Sequence, residues 1–477
     1  MIITSEPTAT LSRTDRSQTE LRAEFALRLA ELYGSEVPAY TTLVDVSREV
    51  NADVIAATGT RAERLGSIDR VTAERHGAIR VGSPRELAQA ARVFAGFGMH
   101  PVGFYDLRDA SKSSVPVVST AFRPVEAAEL AANPFRVFTS MLVTDDRRFF
   151  DAATQQRLEA FIGARTLFTD ELLGLADRSA ADGGLAGADA DRFLELATAS
   201  FALTTEPVEA DWYATLERIS SVAADIGGVP STHINHLTPR VLDIDALYER
   251  MAALGITMID EIQGPPDWAG PDVLLRQTSF KALAEDRVFR YADGSVRPGS
   301  LRVRFGEVEQ RGVALTAKGR DLYDAMVAET DARLAKAPSG STTRVDVARE
   351  VWREQLPDTE RELALQGLAF FTYAVTGVAP QGPTATLREL VEAGVLTPEP
   401  IVYEDFLPRS AAGIFQSNLT DEGSRDDELA GTPYDIERLS EVIGRPITDP
   451  TRLYAAQQQD SLAAATRALG LSALITD

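Results

Sequence analysis

Four histidines are spread over 477 residues, and two of them, His76 and His236, stand in the same frame of a repeated pattern. His76-Gly-Ala-Ile-Arg80-Val81-Gly-Ser83 lies over His236-Leu-Thr-Pro-Arg240-Val241-Leu-Asp243 at an offset of 160. Each copy reads His, Arg four later, Val five later, and a short helix-capping residue at plus seven. A lone histidine at the start of a strand is usually a packing residue. Two in one frame of a duplicated unit point to a metal shared between two halves.

A third ligand is expected from the last strand of the second unit, Arg304-Phe-Gly-Glu-Val-Glu-Gln-Arg311. There Glu307 and Glu309 share a face, because strand side chains alternate. The repeat chooses Glu307, whose counterpart in the first unit at an offset of 166 is Met141, a poor ligand for a hard divalent ion. The expected set is therefore two histidines and one carboxylate. Such a triad leaves coordination positions open, as non-haem Fe(II) chemistry with a substrate and O₂ requires. A fourth protein ligand would instead suit an isomerase of glyoxalase type.

Arg80 adds a way to hold an anion. Positions 76 and 80 lie on one strand face, roughly 13 Å apart at about 3.3 Å per residue, so the Arg80 side chain can reach back toward the metal. Its planar fork matches a carboxylate, and an acid chelating the metal at one end could have its far carboxylate held there. That favours a dicarboxylate. His233 falls on the other strand face from His236 and is expected to be structural or to support the ligands. His100, before Pro101, is expected to be structural, and Arg240 follows Pro239 in a disturbed strand.

The elements that must position these residues read as an α+β fold. Residues 1–70 form an N-terminal helical segment, with apolar Leu21, Phe25, Leu29 and Leu32 at helical spacing. Residues 71–145 form a first β-α-β-β-β unit, whose helix starts with Ser83 as N-cap, Pro84 in the first turn and Glu86 at the third position. Residues 146–229 read as a helical insertion broken by the Gly-rich stretch 181–188, and 230–317 as a second β-α-β-β-β unit with a last strand over 301–313. Residues 318–477 are mostly helical apart from a loop-rich piece, 401–418. Away from the histidines, Thr120-Ala-Phe-Arg123 matches Thr278-Ser-Phe-Lys281 at 158, and Phe135-Arg136-Val137 matches Leu301-Arg302-Val303 at 166. Two such units side by side make a curved sheet around a shared cavity.

Composition narrows the partners. Lys+Arg 48 against Asp+Glu 71 gives a net charge of −23, which argues against nucleic acid and anionic membranes. The absence of cysteine excludes disulfides, thiolate metal sites and thiol nucleophiles. No signal-peptide pattern and no bilayer-length apolar run is visible, so a cytoplasmic chain is expected. Oligomeric state is not legible.

Four motifs carry a family resemblance: Arg75-His-Gly-Ala-Ile-Arg80, His233-Ile-Asn-His-Leu-Thr-Pro-Arg240, Phe305-Gly-Glu-Val-Glu-Gln-Arg-Gly312 and Ser410-Ala-Ala-Gly-Ile-Phe-Gln-Ser-Asn418. The chain resembles the 2-oxoadipate dioxygenase/decarboxylase family, related to the vicinal oxygen chelate fold, from about Glu20 to Leu469. The resemblance implies an Fe(II) enzyme of lysine catabolism converting 2-oxoadipate and O₂ to (R)-2-hydroxyglutarate and CO₂. It implies His76, His236 and Glu307 as metal ligands that also border the substrate, and Arg80 as the catalytic substrate clamp. It further implies a substrate-lining segment here occupied by Leu407-Pro408-Arg409-Ser410, with Arg409 where an apolar residue is common. The residues alone leave open another vicinal-oxygen-chelate reaction, such as extradiol cleavage or a Mn/Zn lyase. They also leave open a non-catalytic dicarboxylate-binding protein.

Overall fold

The computed structural model describes residues 15–59, 71, 75–110, 115–302, 304–338, 340–418 and 424–475. Residues 61–65, part of the expected N-terminal helical segment, lie outside them. Two N-terminal helices, α1 (Gln18–Glu36) and α2 (Pro38–Thr58), precede the sheet. Ser17 and Glu20 close a capping box at the start of α1, satisfying amides that would otherwise be orphaned. Just before α1, Asp15–Ser17 forms a short strand against Gly184–Ala186, inside the Gly-rich stretch.

The first unit follows the expected order, with β1 (Arg75–Val81), α3 (Pro84–Gly96), β2 (His100–Asp106), β3 (Val117–Arg123) and β4 (Arg136–Leu142). A short helix, Ala127–Ala132, lies between its last two strands. Ser83 caps α3 as its sequence implies, but the Glu86 carboxylate reaches past the cap to the Gly82 amide at 2.6 Å. Farther along come the buried helix α4 (Ser221–Gly227), β5 (His236–Pro239) and α5 (Ile244–Ala253), the last capped by Asp243. The two capping residues found seven after each histidine thus do the same work.

Next come β6 (Leu275–Ser279) and β7 (Glu307–Arg311). The single run expected over 301–313 is broken. Leu301 ends a hairpin of Glu285–Arg290 with Val296–Leu301, and β7 starts only at Glu307. The run 257–263 is held by two isolated bridges, Met258 to Phe280 and Gln263 to Gln277. The C-terminal part carries α6 (Ala317–Lys336), α7 (Pro408–Asn418) and α8 (Pro450–Ala468), and a further hairpin of Phe371–Val375 with Leu396–Pro400. The piece expected to be loop-rich therefore holds α7.

Strand order is β2-β3-β4-β1-β5, with β1 parallel to β4 and antiparallel to β5. A bridge from Arg240 to Glu309 carries the pairing on to β7, which is antiparallel to β6. The sheets are thus mixed and the fold is α+β. Among the described residues no helix is long and apolar enough to cross a membrane.

Strand alternation sorts the sheet into two faces. Ile79, Val81, Val137, Met141, Leu237 and Val308 join one apolar cluster with the helices around Phe25, Phe94 and Leu247. The opposite face presents His76, Arg80, Arg136, His236, Glu307, Glu309 and Arg311, all buried. One side chain from α1 ties the strand entrances of that face together. The Tyr33 hydroxyl is shared between the carbonyls of Asn235 at 3.0 Å and Phe305 at 2.8 Å, just ahead of His236 and Glu307. Tyr33→Phe should leave two buried carbonyls without this donor and cost about 1–3 kcal/mol in stability. Chemical denaturation measures this, and an unchanged midpoint would show that the hydroxyl holds nothing.

Candidate metal centre

His76 sits second in β1, His236 opens β5 and Glu307 opens β7. Antiparallel pairing sets Ala78 opposite His236, which puts both imidazoles on one face, two residues out of step. The Arg240–Glu309 bridge then brings Glu307 onto the same face. His76 Nε2 lies 3.2 Å from one Glu307 oxygen and His236 Nε2 lies 3.4 Å from the other. One ligand atom from each of the three residues fits within 4.8 Å of the others. Atoms bound at about 2.1 Å to one ion, at angles near 90–110°, stand roughly 3.0–3.4 Å apart, so the donor set fits a single divalent ion. All three are buried, and Nδ1 of His236 has no hydrogen-bond partner among the described residues.

The electrostatics favour the protonation states that ligation needs. Burial pushes His236 down to about 4, more strongly than Glu307 draws it up, with His76 and Arg80 adding to the depression. Burial would raise Glu307, but the two imidazoles outweigh it and hold it ionised. His76 is the exception, because the pull of Glu309 and Glu307 overcomes burial and raises it. Its Nδ1 is 2.9 Å from Glu309 Oε2, an ion-pair contact rather than a well-aligned hydrogen bond. Burial works against the Glu309 charge, yet Arg311, His76 and Arg136 hold the carboxyl down at about 2. Arg311 does so through a two-pronged contact of 2.7 and 2.8 Å. Glu309 therefore sits behind His76, where a carboxylate orients a ligating imidazole and fixes its tautomer.

The reasoning that excluded a fourth ligand needs correcting. Thr120 pairs with Thr139 while its counterpart Thr278 pairs with Val308, so the last strands align at an offset of 169, not 166. The position equivalent to Glu307 is Phe138, and Met141 points into the cluster on the opposite face. The hairpin at 285–301 shifted the frame by three residues. Three ligands remain because Phe138 is apolar: its ring packs 4.9 Å from that of Phe406, which in turn lies edge-on to His76 at 4.9 Å.

Arg80 is buried on the site face, where its Nη1 donates to Asp225 Oδ2 from α4. His233 is buried beside the same carboxylate, 3.4 Å from Oδ1. Arg409 is not brought to the triad. As the second residue of α7 it faces outward, 64% exposed, and donates to Asp331 at 2.8 Å, whereas its neighbour Ser410 is buried. Four residues that the sequence did not single out complete the surroundings: Phe138, Phe406, Asp225 and Gln277, whose amide donates to Glu307 Oε1. Only Gln277 carried a signal, since it alternates onto the same face as Ser279, the partner of Glu307.

The family model for 2-oxoadipate dioxygenase/decarboxylase matches residues 25–418. The chain belongs to the 2-oxoadipate dioxygenase/decarboxylase family. A relative of that name from Mycobacterium tuberculosis is 55% identical over 451 residues, 94% of this chain and 99% of its own. Another from Pseudomonas putida is 41% identical, covering 96% and 98% of the two chains. The crystal structure of the hydroxyglutarate synthase from Pseudomonas putida in complex with 2-oxoadipate superposes with a TM-score of 0.82. It shares 39% identity and covers 96% of this chain and all of that one.

Paired substitutions separate ligand from support. Glu307→Gln should abolish stable metal binding, whereas Glu309→Gln should keep the ion with affinity lowered about 10–100-fold. Metal titration followed by elemental analysis reads both, and the reverse pattern would exchange the two roles.

Proposed function

We propose that this chain is an Fe(II)-dependent dioxygenase that converts 2-oxoadipate and O₂ to 2-hydroxyglutarate and CO₂. The observation that carries this reading is the buried two-histidine, one-carboxylate centre sharing a sheet face with Arg80. The atoms balance: the six-carbon acid loses its carboxyl carbon as CO₂, and the two oxygen atoms enter the new carboxylate and the hydroxyl group. The Pseudomonas putida synthase bound to 2-oxoadipate supports the substrate assignment. The two strand units are read as vicinal-oxygen-chelate-like modules sharing the centre.

A bound Fe(II) supplies the redox chemistry with O₂ and offers open positions for the 2-oxo acid head. The protein does the rest. His76, His236 and Glu307 hold the ion from one side, with Glu309 orienting His76. Arg80 receives the far carboxylate, so that the chain length between head and tail is measured against two fixed points. Phe138 and Phe406 form an apolar wall beside His76 that keeps water from it. Ser410, buried at the start of α7, is assigned to the substrate lining, while Arg409 contributes only its backbone.

The test is O₂ uptake by iron-loaded protein with 2-oxoadipate, expecting equal amounts of O₂ consumed, CO₂ released and 2-hydroxyglutarate formed. Absence of uptake with iron bound would overturn the reading. Arg80→Lys keeps the charge but loses the fork, and should raise KM by the equivalent of about 2–5 kcal/mol. An unchanged KM would place Arg80 outside the substrate site.

A further inference from the structure

The guanidinium of Arg80 is buried, and a buried charge is tolerated only when partners surround it. The partner supplied is Asp225, itself buried on α4, in the stretch between the two strand units. Asp225 Oδ2 accepts from Arg80 Nη1 and also from Asn235 Nδ2 at 3.1 Å. The same Asn235 amide nitrogen is 3.1 Å from His233 Nε2. With that nitrogen accepting from the amide, the His233 proton resides on Nδ1. This cluster is locked to β1 by two backbone-level contacts: Thr232 Oγ1 donates to the Arg80 carbonyl at 2.8 Å, and the Asn235 amide to the Ala78 carbonyl at 2.8 Å.

The cluster is also incompletely satisfied. Asp225 Oδ1, His233 Nδ1 and Asn235 Oδ1 are buried without a hydrogen-bond partner among the described residues. Buried polar atoms are nearly always paired with protein or with ordered water, so this cluster is polar as well as buried. Of these three, only a proton on His233 Nδ1 can meet a carboxylate, since the other two atoms are acceptors.

We infer that Asp225 positions the Arg80 guanidinium, with Asn235 and His233 holding Asp225 in turn, and that this cluster sets the preference for a 2-oxo acid bearing a second carboxylate. Asp225 does not touch the reacting atoms; it acts through Arg80. The inference rests on the reading of Arg80 as substrate clamp given above. It adds that the clamp's aim comes from a helix outside both strand units. Without Asp225 the guanidinium would keep its charge but lose its fixed direction.

The experiment compares 2-oxoadipate with 2-oxohexanoate, which has the same chain length and metal-binding head but no far carboxylate. In iron-loaded protein, Asp225→Asn should raise KM for 2-oxoadipate about tenfold or more, leaving kcat within about threefold. Its iron content should stay at the wild-type level, and the inhibition constant of 2-oxohexanoate should not change. Equal loss of affinity for both acids, or loss of iron, would make Asp225 merely structural and overturn the inference. Because removing one partner of a buried pair can unfold a protein, the variant Arg80→Met/Asp225→Asn, which removes both charges, is measured beside Arg80→Met alone. The two should show the same preference between the acids; a further change in the double variant would mean that Asp225 acts independently of Arg80. If Arg80→Met itself leaves the preference intact, the clamp reading fails, an outcome separable from failure of the Asp225 role alone.

Discussion

Two imidazoles and a carboxylate packed together in a dry interior are a costly arrangement unless a cation joins them. Much of this structure follows from that constraint. The three ligand strands must run side by side, so β5 is antiparallel to β1 and meets β7 through the Arg240–Glu309 bridge. The strand entrances must not drift, and Tyr33 reaches from α1 to both of them. The charges around the candidate ligands must cancel pairwise, because burial weakens the screening that bulk solvent gives.

That cancellation extends well beyond the centre. Glu309 behind His76 is held by Arg311, whose Nη1 also donates to the carbonyls of Tyr403 at 2.7 Å and Asp405 at 3.1 Å. Arg136 pairs with Glu404 at 2.9 Å, and Arg123 pairs with Asp405 at 3.0 Å. Arginines of β3, β4 and β7 therefore meet one acidic segment of the C-terminal part, 403–405. The next residue, Phe406, packs against His76. Through this lattice a region far along the chain forms one wall of the candidate metal site.

The sequence exposed the candidate ligands because a repeated pattern leaves a comparison inside one chain. His76 and His236 stood out by their shared frame, and Ser83 and Asp243 by their equal distance from them; the structure brings the histidines into one buried cluster, and the other two each cap a helix. The same comparison went astray where the copies differ in length. The hairpin over 285–301 shifted the last strand by three residues, so Met141 was matched to Glu307 although Phe138 is its counterpart. The repeat's choice of Glu307 over Glu309 rested on that frame as well; the family motif names the same residue, and the structure groups it with the two histidines. Arg409 entered only through the family resemblance, as part of a lining segment, and helix phase turns its side chain outward to Asp331.

What the sequence determined by itself, then, is what short-range pattern encodes: strand alternation, helix caps, a repeated frame, and residue types able to bind a metal and a carboxylate. It could not determine which distant groups neutralise those charges. Asp225 and Arg80 are separated by 145 positions, and Arg136 and Glu404 by 268. No periodicity links such pairs, since each partner sits on an element whose own pattern is satisfied without the other. Only the tertiary structure decides them, because a buried charge selects its partner by distance in space, and that distance exists only once the helices and the C-terminal segment have closed over the sheet.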